Sequence, residues 1–280
     1  MSMTANWLLS SESKGPEKIS AVGLVLLLVL SLVSITSLTS TETFSLSVIE
    51  PSSSDDEGRN SGSVQLVDGW SRTGSGGVSG QQSDSAFAVE VDASDNIYVT
   101  GVFTGEETFG SHTISSSGGS DIFLAKLSPE GEWLWVLSAG SSGDDLATSV
   151  TVDSSGNPVI AGYIGGNADF GGNTAESLGG TEIVVAKAEN SGTWAWVSTA
   201  GGVLGDVAND IASGDDGSIF ITGQVEGDAN FDTIPSTGYD VDAFVAALGP
   251  SGNWNWAKRF VGNDVDGGYS VISIGGDVIS

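Results

Sequence analysis

The sequence has no cysteine and a single histidine, His112. That excludes disulfide bonds, thiolate metal sites, a cysteine nucleophile and any cage or relay built on two histidines. Basic residues are almost as scarce: eight Lys and Arg stand against 36 Asp and Glu, a formal charge of −28. Phosphate backbones and anionic membrane surfaces are held by basic patches, so nucleic acid is excluded as a partner. Charged residues still make up only 16% of the chain, too few for a solvated acidic tail. Glycine is abundant instead, 41 residues in 280 against six prolines, beside 39% hydrophobic residues. That balance fits a large globular core interrupted by many tight turns.

Only one long apolar run occurs. Residues 19–38 carry no charge, enough chain to span a bilayer as a helix. Lys14 and Lys18 precede the run, whereas Glu42, Glu50, Asp55, Asp56 and Glu57 follow it before the next basic residue, Arg59. By the positive-inside rule the leader 1–18 is expected to stay cytoplasmic and everything downstream to be exported. The segment reads as an uncleaved signal anchor. A cleaved signal peptide, which would release a secreted protein, is the alternative. Residues 39–63, rich in Ser, Thr and acidic side chains, read as a disordered stalk.

Beyond the stalk the sequence repeats itself. Trp133-Leu134-Trp135 returns as Trp194-Ala195-Trp196 and as Trp254-Asn255-Trp256, at offsets of 61 and 60. The segment Asp121 to Lys126 returns as Glu182 to Lys187 and as Asp242 to Ala247. Thr100-Gly101, Ala161-Gly162 and Thr222-Gly223 keep the same spacing, as do Phe109, Phe170 and Phe231. Several markers in one register define a structural repeat.

Each unit divides into four short strands. In the first they are 86–91, 97–103, 121–127 and 133–138, separated by turns rich in Asp, Asn, Gly and Pro. No stretch after residue 64 combines a helical period with a cap, so the expected fold is all-β. Side chains alternate along a strand, which predicts that both indoles of each Trp-x-Trp point to one face and lie largely buried. Four-stranded antiparallel meanders at this period suggest β-propeller blades, each burying an apolar face against the next. The expected blades are 86–138, 147–199 and 208–260. An orphan strand at 64–73 precedes them, and the start of another blade, 269–280, follows. The domain 64–280 therefore reads as an incomplete propeller, a fragment of a longer reading frame, behind one N-terminal apolar helix.

These units resemble the bacterial and archaeal β-propeller repeats called SBBP repeats. The resemblance covers about residues 70–280 and rests on Asp153-Ser-Ser-Gly-Asn157, Ala161-Gly162, Asp121 to Lys126 and Gly131 to Trp135. The third unit departs from the pattern, with Gly214 where the others have Asp92 and Asp153, and Ala247 where they have Lys126 and Lys187. The resemblance implies a propeller of about seven blades on an exported or surface protein, with no defined activity.

The remaining candidates read more simply as structure than as chemistry. Asp92, Asp95, Asp153, Asp215 and Asp216 sit in turns that could offer oxygens to Ca²⁺, but none carries a full ligand loop. Capping of turn N–H groups explains them, so no cofactor is expected and calcium is not expected to be needed for folding. Lys126 and Lys187 read as ion-pair partners in an acidic protein rather than as ligand-binding cations. Trp133, Trp135, Trp194, Trp196, Trp254 and Trp256 read as inter-blade core rather than as carbohydrate platforms, and His112 as a surface residue. No catalytic, cofactor-binding or metal residue is assigned. The expected function is a non-catalytic, membrane-anchored or secreted surface module for adhesion or binding of a protein or carbohydrate, touching the membrane through 19–38 alone. The alternative is a propeller-type hydrolase or quinoprotein-like enzyme whose active site lies in blades outside this sequence.

Overall fold

The computed structural model describes residues 75–76, 84–232, 234–262, 264–274 and 277–279. The leader 1–18, the segment 19–38, the stalk 39–63 and the expected strand 64–73 lie outside them. Every regular element among the described residues is a β-strand, so no helix there is long and apolar enough to cross a membrane.

After a two-residue strand β1 (Ser75–Gly76), the first unit is the meander β2 (Ser85–Val91), β3 (Ile97–Phe109), β4 (His112–Leu127) and β5 (Trp133–Ala139). The second unit has a sheet of β6 (Leu146–Val152), β7 (Pro158–Ile164), β10 (Glu182–Glu189) and β11 (Thr193–Ala200). Between its middle strands lies a small hairpin, β8 (Ala168–Phe170) with β9 (Asn173–Ala175). The third unit repeats this with β12 (Val207–Ser213), β13 (Ile219–Glu226), β16 (Val241–Leu248) and β17 (Trp254–Phe260), and the hairpin β14 (Ala229–Phe231) with β15 (Ile234–Ser236). A last hairpin joins β18 (Ile272–Ile274) to β19 (Asp277–Ile279). The three antiparallel sheets extend over 85–139, 146–200 and 207–260. Two details differ: in the first unit the Gly and Ser connection is absorbed into one long β3–β4 hairpin, and β18 begins three residues later than expected.

The Thr-Gly marker has a steric cause. The first strand of each unit bulges at Ala86/Ala88, Ala147/Ser149 or Ala208/Asp210, opposite Gly101, Gly162 or Gly223. A Cβ at those glycines would lie 1.9, 1.9 or 2.1 Å from the backbone oxygen of Ser85, Leu146 or Val207. Only glycine permits that approach.

The sheets stack face to face, with β6 beside both β2 and β12, and β18 beside β12. Between the first two units lie Tyr98, Ile122 and Leu124 against Val150, Ile160, Phe170 and Val184. Between the second and third lie Val159, Ile183 and Val185 against Ile211, Ile221, Phe231 and Phe244. Strand β10 thus feeds alternate residues to both interfaces, which explains why Ile183 to Ala186 is a continuous apolar run.

The tryptophans correct the sequence reading. A second bulge, at Lys126/Leu127, Lys187/Ala188 and Ala247/Leu248, places one extra residue between the two indoles of each motif. The extra residue cancels the period of two, so the indoles face opposite sides. Trp194 packs toward the first unit and Trp196 toward the third. All six are partly rather than fully buried.

Candidate functional site

Each unit has two ends. One carries the tight turns of the sheet, and the other carries the longer excursions and the links between units.

At the turn end the candidate carboxylates are occupied by their own turns. Asp92 Oδ1 accepts from the N–H groups of Ser94 (2.8 Å) and Asn96 (3.0 Å), and its Oδ2 accepts from Asn96 Nδ2 (2.9 Å) and the Tyr98 hydroxyl (3.2 Å). Asp153 Oδ1 takes Ser155 and Asn157 N–H, each at 2.9 Å, and its Oδ2 lies 2.5 Å from Lys187 Nζ. Burial works against both charges, but these hydrogen bonds outweigh it and hold both carboxyls below the ordinary range. In the third unit, where Gly214 replaces the aspartate, Asp216 takes Ser218 N–H (2.9 Å) and the Ser218 hydroxyl (3.0 Å). Asp95 is held at φ 62, a turn position filled by Gly156 and Gly217 in the other units. Asp215 is exposed.

Of the lysines at this end, Lys187 pairs with Asp153 inside its own unit, whereas Lys126 joins two units. Lys126, 4% exposed, donates to Asn190 Oδ1 of the second unit and lies 5.1 Å above the Tyr98 ring. Burial lowers its pKa, against the nearby charge of Asp92. Tyr98 and Asn190 both donate to the Gly156 carbonyl. The indoles do similar work in both directions: Trp135 and Trp196 donate forward to the carbonyls of Asn190 and Pro250, and Trp194 and Trp254 donate backward to those of Ser138 and Thr199. Phe109, Phe170 and Phe231 stand edge-on to Trp133, Trp194 and Trp254 at 5.1, 5.1 and 5.0 Å.

A polar seam runs along the first strands. Thr148 Oγ1 donates to the Ala208 carbonyl (2.8 Å), and Ser213 Oγ to that of Val152 (2.9 Å). Asp210 takes Ser149 Oγ at 2.7 Å on one oxygen, and Ser270 Oγ (3.0 Å) and Val271 N–H (2.9 Å) on the other. One carboxylate therefore ties three successive segments together.

The link end holds what the sequence reading missed. Asp121, Glu182 and Asp242 are at most 2% exposed, and Asp145 and Asp206, which lead into the next first strand, are fully buried. The signal was available: Asp84, Asp145 and Asp206 recur at 61, each two residues before Ala86, Ala147 or Ala208. Asp145 accepts from Ser141 N–H (2.6 Å), the Ser141 hydroxyl (3.0 Å) and Gly165 N–H (2.9 Å). Asp206 takes Gly202 N–H (2.7 Å) and Glu226 N–H (2.9 Å). A Cβ at Gly201 would come within 2.7 Å of Asp206 Oδ2 and 2.8 Å of Glu182 Oε1, so the two carboxyls converge on one point. Burial, reinforced by Asp206, pushes Glu182 up to about 7. Burial, reinforced by Glu226, takes Asp206 to about 6. Asp121 is pushed up to about 6 by burial, with the charge of Asp145 adding to it. The third unit differs. There the Arg259 guanidinium, its side chain 5% exposed, bonds Asp242 Oδ2 at 2.6 Å and donates to the carbonyls of Gly227, Val225 and Asp240.

No protein-family model matches the chain. It is similar to the regulatory protein FlaEY of Caulobacter vibrioides, 27% identical over 142 residues, which cover 49% of this chain and 15% of that protein. It is also similar to an uncharacterized WD repeat-containing protein of Acanthamoeba polyphaga mimivirus, 30% identical over 143 residues, covering 43% of this chain and 10% of that protein. The chain thus spans a small part of the length of either relative.

Proposed function

We propose that the three sheets are successive blades of a β-propeller of the SBBP-repeat type, and that the protein is a non-catalytic, exported surface module binding a protein or carbohydrate ligand. The observation that carries this reading is the seam of first strands, where Asp210 and Thr148 bond one sheet's inner edge to the next. Sheets stacked by their faces and joined along one edge are how propeller blades meet. Similarity to a WD repeat-containing protein supports the same architecture. Export is supported by the apolar run of residues 19–38 and by Lys14 and Lys18 on its N-terminal side, with no basic residue after it before Arg59. A binding role is supported by the use of the repeated Trp side chains, with Lys126 and Asp210, to lock units together, which makes a platform with variable loops at its link end.

The test has two parts, both on the full chain. On intact cells, an epitope after residue 84 is expected to be removed by added protease, and protection until lysis would overturn export. The purified chain is expected to bind members of an immobilised panel of polysaccharides and extracellular proteins without altering them. Turnover of chromogenic glycosides or esters would favour an enzyme instead.

A further inference from the structure

The three link ends are built alike but charged differently. The register places Arg259 opposite Phe244, as Ser138 stands opposite Phe123 and Thr199 opposite Val184. Among the described residues, therefore, only the third unit brings its own cation to the carboxylate at the head of the strand. Of the other described basic residues, Lys126 and Lys187 are bonded at the turn end, and Lys258 belongs to β17 of the third unit.

In the first unit the consequence is visible atom by atom. Asp121 is 1% exposed. Its Oδ2 accepts from Ser117 N–H at 2.8 Å, whereas its Oδ1 is buried without a hydrogen-bond partner. A buried carboxylate oxygen without a donor carries a desolvation cost that a cation would remove. Asp145 is fully buried: burial, reinforced by the charge of Asp144, raises its pKa although three donors point at its two oxygens, so its charged form lacks a counter-charge. Consecutive residues lie against both groups. A Cβ at Gly140 would come 2.3 Å from Asp121 Oδ2 and 2.8 Å from Oδ1, and Ser141 N–H holds Asp145. The equivalent carboxyls of the second unit converge on Gly201, as described above.

We propose that Asp121 Oδ1 and the Asp145 carboxylate bind one Ca²⁺ ion, in the role that the Arg259 guanidinium plays toward Asp242. The donors are all oxygen, which selects a hard cation. Among the described residues no three His, Cys, Asp or Glu side chains converge on a metal position. Backbone carbonyls and water would therefore complete the six to eight oxygens that Ca²⁺ takes, and the affinity would be weak, of order 0.1–1 mM. The site lies at the opposite end of the sheet from the turns of Asp92 and Asp153, whose carboxylates are already filled.

The test is scanning calorimetry of the full chain, first stripped with chelator and then titrated with CaCl₂ to about 5 mM. The expected result is a saturable rise in Tm of about 3 °C or more, absent with NaCl of equal ionic strength. Asp121→Asn should abolish the calcium response. Ser138→Arg, which copies the third unit into the first, should raise Tm in chelator and also abolish the response. No rise in the unaltered chain would overturn the proposal. So would a rise that survives in Asp121→Asn, or in Ser138→Arg should Asp121→Asn not fold, because the ion would then sit elsewhere.

Discussion

Gly162 offers the sharpest check on the packing argument, because a nearby glycine serves as its control. Adding one methyl as Gly162→Ala would place a carbon 1.9 Å from the Leu146 carbonyl oxygen and 2.9 Å from Ala147 Cα. Both neighbours are backbone, so no side-chain rotamer relieves the clash. Restoring an ordinary contact would require β6 to withdraw from β7 by more than about 1 Å. That movement weakens the ladder bonds flanking the bulge, at about 1 kcal/mol each, and displaces the fully buried Ala147 from the interface between the first two units. With overpacking at about 1–3 kcal/mol, the expected loss is about 3–5 kcal/mol. At Gly172, φ is +96° and an added Cβ meets nothing within 4 Å. Gly172→Ala therefore carries backbone strain alone, about 1–2 kcal/mol. Urea denaturation followed by tryptophan fluorescence measures both. A Gly162→Ala loss below that of Gly172→Ala would refute the reasoning.

Three other perturbations separate the forces at work. Arg259→Met strands the buried Asp242 carboxylate and should cost about 3–5 kcal/mol, with Asp242→Asn restoring most of it in the double variant. A loss below about 1 kcal/mol would mean that the guanidinium is not the counter-charge of Asp242. Trp196→Ala should cost about 3 kcal/mol, the low end for a large aromatic because the indole is only partly buried. It should add to Trp194→Ala, which acts on the other interface, but not to Trp254→Ala, which shares its own; the reverse pattern would put both indoles of one motif on one face. Glu182 and Asp206 have folded pKa values near 7 and 6, raised above 4.5 and 3.8, so the fold binds their protons more tightly than the unfolded chain does. Their contribution is present at acid pH and lost as pH rises through about 4 to 7. Stability in chelator should therefore fall by an order of 2 kcal/mol between pH 5 and 8, and fall less in Glu182→Gln; a rise over that window would contradict the burial of these carboxyls.

What could be read from the sequence was whatever a residue does in the same way in every unit. The period was legible because Trp194, Phe170 and Gly162 each perform a task that their counterparts 60 or 61 residues away repeat. The bulge inside Trp-x-Trp was not. Its extra residue is Leu134, Ala195 or Asn255, three side chains with nothing in common, so the loss of the two-residue period left no chemical trace. The extension of β3 and β4 was hidden for a related reason: Ser115 to Ser120 has neither alternation nor a turn signature that distinguishes strand from loop. The link-end carboxylates did recur, but a short Asp-x-Ala spacing attracts little attention in a chain with 36 acidic residues.

The same distinction explains how units so different in sequence can stack in one geometry. Trp194 and Trp254 donate their indole N–H groups to the carbonyls of Ser138 and Thr199, and Trp135 and Trp196 donate theirs to the carbonyls of Asn190 and Pro250. In each pair the donor is invariant across units while the acceptor residue changes, because a backbone oxygen serves equally well beneath a serine, a threonine, an asparagine or a proline. Where the neighbour must also make room, the residue is fixed again. The second indole of a unit lies flat on the glycine of the next unit's turn, so a Cβ at Gly192 or Gly252 would come 2.7 Å from the ring of Trp135 or Trp196. Side-chain donors and close approaches therefore hold the period, backbone acceptors release the rest of the sequence, and each unit depends on its immediate neighbours alone.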